Sequence, residues 1–212
     1  MAALFIGIFA GLFAFLFFDK TLLLVRQYVL EQRFASGVRA AAGIVIAQLL
    51  WAIIAVSLLG CTRYELVVGK HVNSTHGMDA SFVMLSALIL AFMAYRVIRK
   101  PRLTLENNET IVPGREMGYL LRQALTQPIR ILIYVALFCL LGIHYIASAF
   151  SNLFFIVLGT GFGAFVAWSV FCSTLDKNKE KITVQQLERF SRWGAGVILL
   201  LVVFGLVLIV VN

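Results

Sequence analysis

The chain predicts an all-α polytopic membrane protein, with six transmembrane helices forming two inverted three-helix halves and both termini outside. Composition is the first of three observations behind this. Of 212 residues, 61% are hydrophobic and only 13% charged, against roughly 45–50% and about 25% in soluble domains. The mean hydropathy is +0.95. The second is that the apolar residues fall in blocks close to the roughly 20 residues that cross a bilayer as helix. The third is the placement of lysine and arginine, which alternates from one connection to the next.

The first span covers Ala2 to Phe18 and extends toward Leu30 beyond a charged break, Asp19-Lys20. It lacks a positive leading region and a small-x-small cleavage site, so it reads as a retained span rather than a signal peptide. The second span runs from Val38 to Gly60, the third from Ala80 to Val97, and the fourth from Pro128 to Phe150. The fifth covers Leu153–Thr174 and the sixth Gly194–Val211. Each must be helical, because a segment in lipid has to satisfy its backbone internally and no barrel alternation is present. Ile182–Trp193 carries spaced apolar residues among polar ones and suits an amphipathic surface helix feeding the sixth span. Lys100-Pro101-Arg102 through Pro113-Gly114 is rich in turn formers. The chain is then one membrane domain, with halves at 1–98 and 117–212 and a linker at 99–116.

Sixteen of the 18 lysines and arginines lie in the first, third and fifth connections, Arg130 being counted with the third. Those connections are expected in the cytoplasm, which sends both termini outward. The formal charge of +8 is thereby explained by orientation, and nucleic acid is not an expected partner. The expected partners are the lipid bilayer, a small solute such as an amino acid, and further copies of the chain in a homo-oligomer. Cys61, Cys139 and Cys172 show no CxxC spacing and read as reduced thiols. No phosphate-binding loop, GxSxG elbow or HExxH pair occurs, so enzymatic chemistry, a metal and a cofactor are not expected.

Asp19 and Lys20 dominate the candidate sites, since ionisable groups beside a span are costly unless they face protein, water or the interface. One reading makes them an edge marker, with Lys20 reaching the headgroups and Thr21–Phe34 lying at the interface. The other puts them at a helix break inside the bundle. Gln48 is an amide nine residues into the second span, suited to bonding across helices or to a solute. Gln127-Pro128 combines an amide with a proline that suits a helix start or frees backbone carbonyls. Trp51 is either packing or a pocket wall, as is Trp168. Gly7-x-x-x-Gly11 and Gly159-x-x-x-Gly163 allow close helix approach, within one chain or between two copies. Gly43 to Trp51 is similar to Gly159 to Trp168, a faint internal repeat. With three spans per half, such a repeat has to be inverted in the membrane.

Three stretches together resemble the lysine exporter superfamily of small amino-acid efflux proteins, the LysE/RhtB type. They are Leu23-Leu24-Val25-Arg26 with Gly37-Val38-Arg39 and Gln48-Leu49-Leu50-Trp51; Ala91-Phe92-Met93-Ala94-Tyr95-Arg96; and Gly118-Tyr119-Leu120-Leu121 with Thr126-Gln127-Pro128. The likeness extends over nearly the whole chain. It implies a secondary exporter of an amino acid or similar small cationic solute in a bacterial inner membrane. The site it implies is Asp19, Lys20, Gln48, Trp51, Gln127 and Pro128. Departures fall on polar positions. Phe18-Asp19-Lys20 stands where the family has Pro-Gly-Pro, Gln48 where an acid is common, and no acid occurs near Phe165. Those departures motivate an alternative, a non-transporting membrane partner or assembly subunit that keeps the scaffold.

Overall fold

The computed structural model describes residues 2–16, 20–32, 34–68, 75–99, 114–127, 129–141, 150–178 and 183–211. Side chains are described at all of these except 20, 32, 60–68, 75–83, 129, 150–151, 184 and 204–211. Among the described residues the chain forms eight helices: α1 (Ala2–Phe15), α2 (Lys20–Gln32), α3 (Phe34–Val68), α4 (Thr75–Arg99), α5 (Glu116–Leu125), α6 (Ile129–Leu140), α7 (Phe150–Lys177) and α8 (Val184–Val211). No strand occurs among them.

Among the described residues, two stretches, Phe34–Leu59 and Asn152–Lys177, are long and apolar enough to cross a membrane. A third is added if Glu116–Leu125 and Arg130–Leu140, bent by 73° at their break, count as one span. The side chains facing outward agree with a lipid environment. Phe5, Ile53, Leu58, Leu85, Leu88, Phe92, Phe154, Phe162 and Leu200 are each at least 45% exposed. Water tolerates few contiguous apolar patches of that kind, whereas lipid tails accept them. The chain is a membrane protein.

The closest helix pairings rest on glycines. On α1, a β-carbon at Gly7 or Gly11 would strike the carbonyls of Ile156 and Thr160 on α7. On α7, one at Gly159 or Gly163 would strike Leu4 and Ile8 on α1. The two glycine motifs therefore pack against each other within one chain. Contacts climb both helices together, from Gly7 at Ile156 to Gly11 at Thr160, so α1 and α7 run parallel. A second parallel pair follows the same logic. Gly43 on α3 takes the backbone of Met117 and Leu121 on α5, and Trp51 higher on α3 meets Ala124. Between them, α3 also packs on α7, and α4 lies against α6 and α8.

Two expectations change. The first apolar stretch does not continue as one helix, since α1 ends at Phe15 and α2 begins at Lys20. Nor does the stretch from Thr21 lie on a surface: Thr21, Leu22, Leu23, Leu24, Val25, Tyr28 and Val29 are all buried to within 2%. The chain re-enters the bundle after the break because this run supplies apolar groups on nearly every side. The amphipathic stretch before the sixth expected span is continuous with it in α8.

Candidate functional site

The α5–α6 break places a charge where the sequence suggested only a connection. Arg130 lies in the first turn of α6 and is 6% exposed. It is a bundle residue, not the loop charge that the orientation count assumed. A buried guanidinium requires polar partners, because its desolvation costs several kcal/mol. Its Nε donates to Gln127 Oε1 at 3.0 Å, across one helical turn. A terminal nitrogen donates to Thr21 Oγ1 at 3.2 Å. Thr21 is the second residue of α2, so this bond joins the start of α2 to the start of α6. The two breaks, after α1 and after α5, meet at Arg130.

Tyr134 follows Arg130 by one turn on the same face of α6 and is 1% exposed. Its hydroxyl has no hydrogen-bond partner among the described residues. Gln127, Arg130 and Tyr134 thus form a polar stripe at i, i+3 and i+7 along a buried face. Tyr134 stacks at a tilt on Phe138, 5.8 Å between centroids, which fixes its ring.

Gln48 is fully buried, at 0% exposure. Neither its Oε1 nor its Nε2 has a hydrogen-bond partner among the described residues. On α3 it sits in the middle of the buried arc made by Ala40, Ile44, Val45, Ala47, Ala52 and Ala55, opposite exposed Leu50, Ile53 and Ile54. Trp51, one turn further on, donates its indole N–H to the Ala124 carbonyl at 3.4 Å. Ala124 is in the last turn of α5, so Gln48, one turn before Trp51 on the parallel α3, lies level with the body of α5.

Of the six residues expected to form the site, Gln127 bonds Arg130 at the α5–α6 break, Trp51 bonds Ala124 in the last turn of α5, and Gln48 lies one turn before Trp51 on α3. Asp19 and Pro128 are outside the described residues, as is the side chain of Lys20, which opens α2. Sequence reading missed Arg130, Thr21 and Tyr134. A signal for Arg130 was present, since it follows Gln127 by one turn and precedes an uninterrupted apolar run. Trp168 takes a different role. Its ring meets Phe15 at 4.9 Å and Phe171 at 5.8 Å, both edge-on, closing the end of α1 against α7. The surface hollow lined by Gln185, Glu188, Arg189 and Arg192 lies on the polar face of α8 and is separate from the cluster.

At the far end of α5, Glu116 is 4% exposed. Its carboxylate accepts hydrogen bonds from backbone N–H groups and from the Ser36 hydroxyl, with Arg39 nearby. This ties the first turn of α5 to the first turn of α3. The cluster around Arg130 is thus held at one end of α5 and this acid at the other.

No family model, curated protein or solved structure matches this chain.

Proposed function

We propose that this protein is a secondary exporter of an amino acid or similar small cationic solute, working by alternating access between two inverted three-helix halves. In this reading α1 with α2, α3 and α4 make one half, and α5 with α6, α7 and α8 the other. Both termini face outward across a bacterial inner membrane. The observation that carries the reading is the meeting of two interrupted helices at a buried polar cluster, inside a shell of outward apolar side chains. Interrupted helices paired across two halves are the usual place for a transported solute, because freed polar groups are tolerated only where they line a site. The packing is consistent with exchange between halves. The first span of each half runs parallel to the second span of the other, α1 with α7 and α5 with α3, each pair brought close by glycines. The site comprises Gln48, Trp51 and Gln127, with Asp19, Lys20 and Pro128 contributed by the two breaks. The test is efflux from proteoliposomes loaded with labelled amino acids. Accelerated efflux of at least one amino acid is expected, and rates equal to those of empty vesicles across the panel would refute transport.

A second reading, a non-transporting assembly subunit, draws on the fifth expected span. There Phe165 points outward at 50% exposure where the resembled family carries an acid. Recovery of a stoichiometric partner in mild detergent, without transport, would support it.

A further inference from the structure

We infer that the outward face of α8 at Arg189, Arg192 and Trp193 is a docking site for an anionic phospholipid, with the headgroup phosphate held in the hollow there. This goes beyond the transport reading and does not depend on it.

The start of α8 has an inner and an outer line. Leu187, Ser191, Ala195, Ile198 and Val202 face the bundle, each at most 4% exposed. On the opposite line Gln185, Arg189 and Arg192 are exposed. Trp193 follows at 76% exposure, then Leu200 at 71% and Val203 at 57%. The outward line therefore changes from polar to apolar between Trp193 and Leu200. Acyl chains are what cover outward leucine and valine in a membrane protein, so the change marks the edge of the hydrocarbon. Trp193 stands at that edge, where an apolar ring with one N–H donor is favoured. Arg192 lies about 12 Å along the axis from Leu200, on the headgroup side. Packing places the same turn at the end of α1. Gly194 lies against Leu16, and the Phe190 ring meets Phe15 at 6.1 Å.

The chemistry of the hollow fits a phosphodiester. Gln185, Glu188, Arg189 and Arg192 line a space of about 230 Å³, recurring at i, i+3, i+4 and i+7 on one helix face. Glu188 is half-buried and itself engaged in an interaction. Two guanidiniums against its one carboxylate leave the hollow net positive, and Gln185 adds amide donors. Arginine suits a phosphate because its planar fork gives two parallel hydrogen bonds. One turn beyond Arg192, nothing lies within 4 Å of a β-carbon added at Gly196. That glycine shares the outward line with Trp193 and Leu200, so it leaves a notch between them for the glycerol and the first methylenes of a chain. Charge, boundary indole and apolar notch follow one another in the order of the parts of a phospholipid.

The experiment is native mass spectrometry of the purified full chain in detergent, titrated with phosphatidylglycerol and with phosphatidylcholine. Phosphatidylglycerol should be retained at least tenfold more tightly. Arg189→Gln and Arg192→Gln should each weaken its retention about fivefold, the contribution of one charge near a lipid surface. Both positions are exposed, so melting temperatures should not change. Arg122→Gln, at an exposed arginine of α5, should leave retention as it was. Gly196→Leu keeps every charge and should weaken retention several-fold, an effect that diffuse attraction would not produce. Equal retention of the two lipids would overturn the site, as would an undiminished preference in the folded Arg189→Gln, Arg192→Gln double variant. Glycerol 3-phosphate competing as well as the intact lipid would make the hollow a soluble-phosphate site and refute lipid docking. A dimer that both arginine variants dissociate would assign the face to a second copy of the chain, with the same consequence.

Discussion

Hydrogen bonds to a charged group contribute about 1.5–3 kcal/mol, roughly twice a neutral pair, because the charge strengthens the bond and its loss strands a buried ion. Thr21 is on that footing, since its hydroxyl is the acceptor that α2 offers to Arg130 in the interior. Thr21→Val should therefore lower stability by about 1–3 kcal/mol in reversible unfolding from mixed micelles, and Thr21→Ser should recover most of it. A Val variant as stable as the parent would show that the bond is incidental. Gln48 predicts the opposite sign. Both its polar atoms lack partners among the described residues, so Gln48→Met should leave stability unchanged or raise it by about 1–2 kcal/mol. Ligand binding should fall in the same variant, as expected where a site is kept at the expense of packing. Trp51 matters less: its 3.4 Å bond to Ala124 is long, and Trp51→Phe should cost under about 1.5 kcal/mol.

At the scale of elements, glycine decides which helices touch. Van der Waals contact is the main attraction between helices in lipid, so small residues that bring backbones together select the pairing. A methyl group at Gly11 would press on the Thr160 carbonyl and lie 2.7 Å from the Ala164 nitrogen. Neither atom belongs to a flexible side chain. Gly11→Ala should thus force α1 away from α7 and cost about 1–3 kcal/mol. Gly118 and Gly196 have nothing within 4 Å of an added β-carbon. Alanine there should be neutral or stabilising by up to about 1 kcal/mol, through helix propensity alone. Comparing the melting temperatures of the three variants in one detergent tests both expectations. The breaks are element-scale features too. The Asp19-Lys20 interruption is plain in the sequence as charge, but its consequence, a second helix buried on nearly every side, depends on neighbours supplied by α3 and α7.

For the whole molecule, the arrangement proposed above makes a prediction about sides. In a cysteine-free background, single cysteines replacing Ala35, Arg115 and Asn178 should label with a membrane-impermeant maleimide from the cytoplasmic side only. Replacements at Asn73 and Ser148 should label from the outer side only. Labelling of Ala35→Cys and Asn73→Cys from the same side would break the six-span topology. Moving Arg130 from the loops to the interior removes one charge from the cytoplasmic count, which still leaves the inward connections far richer in lysine and arginine.

Membrane residence and the apolar stretches were legible in the sequence, because hydropathy is a sum over neighbours along the chain and needs no knowledge of contacts. The glycine spacings were legible for the same reason, as were the amides Gln48 and Gln127. Which glycine motif meets which was undetermined, and only the fold settled it within one chain. Asp19-Lys20 stood out as the break in the first apolar stretch and suggested a site by charge alone. Arg130 did not stand out, because an arginine at the edge of an apolar run has the composition of an ordinary flanking residue. Its role comes from Thr21, 109 residues away in sequence and 3.2 Å away in space. A linear pattern reports the cost of burying each group, whereas the partner that offsets the cost is chosen by tertiary packing.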